Sequence, residues 1–282
     1  MTRDAEIRAR DYVAISVNNL DTEADPPNLS SLLRQVESCI ASYSEPRNRP
    51  QVREQLARAG RESMERSEPG SDIQLLWANA FIAEARSEPG IKWLRGILDG
   101  TTTVTGLVVD FELRWRVIDT LATIGVADED LIEAELRRDP TDEGQKAAAS
   151  ARAARPDARA KKAAWEAVVS DESVSVPMKR AIAGGFHRED PLDLLKSFVG
   201  PYFESLDEIW ARYDSEAAIR IVEWMYPRVV FTQGVIDATD KALERDLPGP
   251  VRRALLENQD AVKRALRAQA FDSAGTDSRH GA

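Results

Sequence analysis

Residues 106–125 read Gly106-Leu-Val-Val-Asp110-Phe-Glu-Leu-Arg-Trp115-Arg-Val-Ile-Asp-Thr120-Leu-Ala-Thr-Ile-Gly125. The segment holds a helix start, an apolar stripe and a helix stop. Asp110 can accept from the unpaired backbone N–H groups of a first turn. Leu113, Val117, Ile118 and Leu121 recur at helical spacing. Gly125 supplies the left-handed conformation that ends many helices. The spacing predicts one amphipathic helix over Asp110–Ile124. Trp115 stands beside the stripe, straddled by Arg114 and Arg116, and is expected to pack against the next helix.

The same grammar recurs on both sides. Before this segment it predicts helices at Asp4–Asn19, from a cap at Asn28 or Ser30 through Tyr43, and at Gln51–Arg66, Asp72–Arg86 and Ile91–Leu98. Asp21–Asn28 reads as a loop. Ser67-Glu-Pro-Gly70 and Ser87-Glu-Pro-Gly90 both read as turns. Asp99–Gly106 is β-branched and flanked by glycines, and is expected to be a loop. Beyond the central segment, helices are expected at Asp128–Arg138, Thr141–Ala154, Asp157–Ser170, Pro177–Gly184, Pro191–Phe198, Tyr202–Arg212, Ser215–Met225, Val235–Glu244 and Pro248–Asn258, with a last one to about Phe271. Strand-like alternation is scarce.

Short connections make successive helices antiparallel neighbours. One amphipathic pair cannot bury its stripe alone, whereas stacked pairs share a continuous core. The fold class that follows is all-α: an α-solenoid, or superhelix, of antiparallel helix pairs resembling HEAT and armadillo repeats. A compact multi-helix bundle is the alternative. Residues 1–272 are read as a single helical-repeat domain with halves 1–105 and 106–272. The polar segment 273–282 is read as a disordered tail.

Composition narrows the function. The chain has 282 residues, 43% hydrophobic and 30% charged, with a net charge of −10. That balance favours solubility. It disfavours nucleic acid, and with it a helical-repeat DNA glycosylase, because phosphate binding needs clustered Lys and Arg. Cys39 is the single cysteine, so no disulfide can form within the chain. It lies on or beside an apolar stripe and is expected to be a buried, inert thiol. No apolar run approaches the ~20 residues of a membrane span, and the charged N-terminus is unlike a signal peptide. The compartment expected is the cytoplasm, with no membrane partner. Asp128-Glu-Asp130 and Asp139–Glu143 read as helix starts, where negative charge complements the macrodipole. His187 follows Gly184-Gly-Phe186 and is expected to meet the carbonyls at a helix end.

The string around Asp110–Gly125 resembles the C-terminal helical domain of the actinobacterial aminopeptidase N family, zinc-dependent gluzincin aminopeptidases. The resemblance resumes in Ala147–Pro156, Lys162-Ala-Ala-Trp165, Gly184-Gly-Phe186, Pro201-Tyr-Phe203, Trp210, Tyr226-Pro227 and Val262–Gln269. Met1–Glu6 and Asp11-Tyr-Val13 resemble the segment that joins the family's catalytic domain to this one. Residues 21–100 carry the least of it.

The resemblance implies a curved helical stack facing the catalytic zinc across an internal chamber. It also implies a zinc-binding His-Glu-x-x-His helix and a Gly-x-Met-Glu-Asn strand elsewhere in the enzyme. Neither motif occurs here: the two histidines, His187 and His280, are far apart. The chain is therefore expected to be the non-catalytic C-terminal part of a zinc aminopeptidase that removes amino-terminal residues from peptides. It would hold no cofactor itself, and its partners would be the enzyme's N-terminal catalytic domain and peptide substrates. Basic groups on the chamber wall would meet the substrate's carboxyl end. Arg114 is the first candidate, followed by Lys179, Arg180 and Arg188, since arginine grips carboxylate bidentately. The alternative is a free-standing helical-repeat scaffold that binds a peptide or protein.

Overall fold

The computed structural model describes residues 2–188 and 192–274. Among them there are fifteen α-helices and no strand. They are α1 (Ala9–Asn19), α2 (Pro26–Ser38), α3 (Arg49–Arg66), α4 (Asp72–Glu84), α5 (Glu88–Asp99), α6 (Phe111–Thr123), α7 (Glu129–Arg138) and α8 (Asp142–Ala154). They continue as α9 (Ala158–Val169), α10 (Val176–Phe186), α11 (Leu192–Lys196), α12 (Val199–Arg212), α13 (Ser215–Met225), α14 (Gln233–Leu243) and α15 (Gly249–Ser273). None of the described helices is long and apolar enough to cross a membrane.

Local chemistry sets most of these boundaries. Asp110 accepts from the Leu113 N–H at 2.9 Å, and Gly125 has φ +76°, so the central segment starts and stops where its residues require. Asp128, Thr141, Asp157 and Asp214 cap α7, α8, α9 and α13 in the same way.

Several boundaries differ from the sequence reading. The chain passes through φ +59° at Ala5, so α1 begins at Ala9 rather than Asp4. Asp25 caps α2 by accepting from the Asn28 N–H at 3.1 Å, and the prolines expected in a loop form its first turn. Proline is tolerated there because that N–H has no intrahelical partner. The two Ser-Glu-Pro-Gly copies diverge. The first is a turn with Gly70 at φ +82°, whereas the second opens α5. The two helices expected after Pro248 are one, α15, of 25 residues. Its Asn258-Gln259-Asp260 stretch contains no helix breaker. Asn258 donates to the Ala254 carbonyl, and buried Gln259 donates to the Ile236 carbonyl and the Asp240 carboxylate. Residues 275–282 of the expected disordered tail lie outside the described residues.

The chain divides into two compact units, Met1–Thr120 with Arg264–Ala282, and Leu121–Lys263. In the first, α1 packs on α3, and α2 and α3 pack on α4. Leu29, Val36, Leu56, Met64 and Trp77 are buried at its centre, and Trp93 meets Phe81 edge-on at 4.9 Å. The buried Asp272 carboxylate accepts from the Arg10 and Glu45 N–H groups and from Asn48 Nδ2 at 2.9–3.0 Å. The end of α15 is thereby fixed to the N-terminal helices of its unit. In the second unit α8 packs on α9 and α10, α10 on α13, and α12 on α13 and α14. Most of these contacts join neighbouring or next-but-one helices, the pattern of stacked pairs. The Tyr202 hydroxyl donates to the Val222 carbonyl at 2.9 Å and its ring meets Tyr226 edge-on at 5.6 Å, while Phe186 and Ile221 are also buried in this unit. Tyr226 donates to Thr239 Oγ1, since Thr239 gives its own proton to the Val235 carbonyl.

Candidate functional site

Within the second unit, three helices present side chains at helical spacing to an open cleft of about 780 Å³. Glu143, Lys146 and Ser150 come from α8, Arg180 and Gly184 from α10, Arg220 and Trp224 from α13, and Arg188 from just past α10. Four cations and one carboxylate thus line a cleft in a chain whose net charge is −10. Lys146 pairs with Glu143 at 2.5 Å and Asp142 at 2.9 Å, and these hydrogen bonds raise its pKa. Arg220 pairs with Glu216 at 3.2 Å. Arg180 is exposed and has no ion pair among the described residues. The arrangement can receive an anion, with the indole of Trp224 as an adjacent flat surface.

The structure brings two of the four sequence candidates together here, Arg180 and Arg188. The other two lie elsewhere. Arg114 donates from Nη1 to the Leu98 carbonyl at 3.0 Å, near the end of α5. Lys179 is 1% exposed. Its ammonium donates to the carbonyls of Ala167, Val168 and Asp171 at 2.6–2.9 Å, and lies 3.1 Å from the Tyr213 hydroxyl. Burial lowers its pKa, and nearby Asp171 opposes that shift. Both cations satisfy orphan carbonyls at or just past the end of the preceding helix, where positive charge complements the dipole. Sequence reasoning missed Lys146 and Arg220. The signal was available: residues 143, 146, 147 and 150 form a surface stripe on α8, as 220 and 224 do on α13.

The remaining candidates resolve structurally. Cys39 is a buried free thiol, and desolvation pushes its pKa to about 12, the inert state expected. Trp115 is buried, and Arg116 pairs with Glu112 across one helical turn. Asp128 and Thr141 are helix caps, so both acidic runs sit at helix starts. Among the described residues no group of three or more His, Cys, Asp or Glu is placed to hold a metal ion.

His187 departs from expectation. It follows α10, but neither ring nitrogen has a well-formed hydrogen-bond partner. Lys161 takes the Gly185 and Phe186 carbonyls instead. Burial lowers the His187 pKa from 6.5 to about 3, helped by the positive charges of Arg228 and Lys161 and opposed by the Trp224 backbone. A base with a depressed folded-state pKa costs no stability above its unfolded value. Below pH 6.5 the unfolded chain binds a proton that the folded chain refuses, so stability falls towards pH 3. Urea unfolding at pH 7 and pH 5 should show the native chain losing up to about 1.4 kcal/mol per pH unit more than His187→Leu. An equal pH response in both would contradict a buried neutral imidazole.

The model of the ERAP1-like C-terminal domain family matches residues 1–264. Aminopeptidase N of Streptomyces lividans is 40% identical over 278 residues, which is 98% of this chain and 32% of that protein. The chain thus spans about a third of the length of that relative. The family match covers α1 to α14 and more than half of α15, and the chain belongs to the ERAP1-like C-terminal domain family.

Proposed function

We propose that this chain is the non-catalytic C-terminal domain of a zinc-dependent, cytoplasmic aminopeptidase. Its partner is the catalytic domain of the same enzyme, which removes amino-terminal residues from peptides. Family membership and the partial match to an aminopeptidase N support this reading. So does the absence of a His-Glu-x-x-His motif from the sequence. The residues here do not fit a zinc site: His187 is buried against Phe186, and the described residues offer it no cluster of further ligands. Zinc chemistry therefore belongs to the catalytic domain. This domain walls one side of the chamber, admits flexible peptides, keeps out folded chains and limits bulk water.

Of the four basic candidates, we assign contact with the substrate's carboxyl end to Arg180 and Arg188, whereas Arg114 and Lys179 donate to helix-end carbonyls. The observation that carries this is the open cleft with the exposed guanidinium of Arg180. In the complete enzyme, Arg180→Ala should raise KM about tenfold for free-acid peptides and leave kcat unchanged, the mark of lost uniform binding. KM for the same peptides amidated at their carboxyl end should not move. An equal effect on both series would overturn the assignment.

A further inference from the structure

Resting on that reading of the cleft, we infer that it prefers peptides whose last residue is acidic, and that Gly184 supplies the room for that residue's side chain. Two independent observations carry this. The first is charge. One carboxylate occupies one guanidinium fork, yet the cleft is lined by four cations. The acids that hold Lys146 and Arg220 are Asp142, Glu143 and Glu216, whose side chains are 82%, 84% and 78% exposed. Ion pairs so open to water are weak and exchangeable, so an incoming second carboxylate can compete for their partners.

The second is space. Glycine inside a helix is disfavoured relative to alanine. Packing does not explain Gly184, because an added Cβ would meet nothing within 4 Å. Its neighbour Gly185 is the opposite case, with the Ser150 carbonyl oxygen 2.0 Å from the position of an added Cβ. Gly184 lies one turn after Arg180 and one turn before Arg188, and all three line the cleft. The missing side chain therefore leaves open room in the cleft, one turn from the exposed Arg180. A ligand side chain that fills this room is best served by carrying negative charge.

The test is calorimetric titration of this chain, at low salt, with Ala-Ala-Ala-Glu, Ala-Ala-Ala-Gln and the amide of the latter. The Glu-ended peptide should bind about tenfold more tightly than the Gln-ended one, and the gap should close at about 0.5 M salt. Arg180→Ala should remove the preference. Gly184→Leu should weaken binding of all three peptides while leaving thermal unfolding in place, and Arg116→Ala should change nothing. Equal binding of the Glu- and Gln-ended peptides overturns the acidic preference and leaves the carboxyl site standing. Equal binding of the free acid and the amide overturns the carboxyl site itself. Absence of binding by every peptide at millimolar concentration overturns both.

Discussion

Lys161→Met is expected to lower the stability of this chain by about 3 kcal/mol, a fall in Tm of roughly 6–12 °C for a chain of this size. Lys161 is fully buried on α9. Its ammonium donates to the carbonyls of Ala153 at 2.6 Å and Phe186 at 3.0 Å, with those of Ala154 and Gly185 at 3.4 Å. One side chain thus closes the C-terminal ends of both α8 and α10. Methionine keeps the length and apolar stem but offers no donor. A buried acceptor without a partner costs about 1–3 kcal/mol, and two close carbonyls lose theirs. Relief from holding a charge away from water offsets part of this. Thermal unfolding followed by circular dichroism measures the difference. A Tm change under about 2 °C would mean that water replaces the ammonium and that the lysine does not hold the helix ends.

The second large effect comes from a matched pair of adjacent glycines. Gly185→Ala should destabilise by about 2–4 kcal/mol, whereas Gly184→Ala should be neutral or stabilising by up to about 1 kcal/mol. At Gly185 an added Cβ would stand 2.0 Å from the Ser150 oxygen and 2.8 Å from its carbonyl carbon. These are backbone atoms of α8, so no side chain can swing aside. The helices must separate by ~1 Å or more, and the tightly packed layer around them loses its contacts. At Gly184 the new methyl group meets only the open cleft, and alanine is the better helix former. Denaturant midpoints of the two variants give the comparison. Equal destabilisation would contradict the assignment of one glycine to packing and the other to the cleft.

Much of the fold was legible because capping and stripe rules act locally. Asp110, Asp128, Thr141 and Asp157 announce helices, and each accepts the expected backbone N–H. The break expected at Asn258 was not real, because polarity alone does not end a helix. Gln259 and Asn258 satisfy themselves on nearby carbonyls while the backbone continues. The divergence of the two Ser-Glu-Pro-Gly copies is likewise tertiary. Pro89 sits in a first helical turn, whereas Gly70 takes a left-handed turn beside the backbone of Gly106.

The candidate site was half legible. Type and charge alone do not separate Lys161, fully buried, from Lys162, exposed. Register does. Arg114, Lys161, Lys179 and Arg252 are each the fourth residue of their helix, and each donates to a carbonyl at or near the end of the helix before it. Three of them are in phase with the apolar stripe: Arg114 with Val117, Ile118 and Leu121, Lys161 with Ala164 and Val168, and Lys179 with Ile182, Ala183 and Phe186. A cation one turn into a helix and on its buried face is thus a helix-end donor. A cation out of that phase, as Arg180 is, remains available to a ligand.

The most direct measurement of the central claim is zinc-dependent release of p-nitroaniline from leucine p-nitroanilide. The chain alone should release none above buffer, while the complete enzyme that carries this domain should turn the substrate over. Turnover by the purified chain alone, lost on adding a chelator and restored by zinc, would contradict a domain that shapes a peptidase chamber without performing its chemistry.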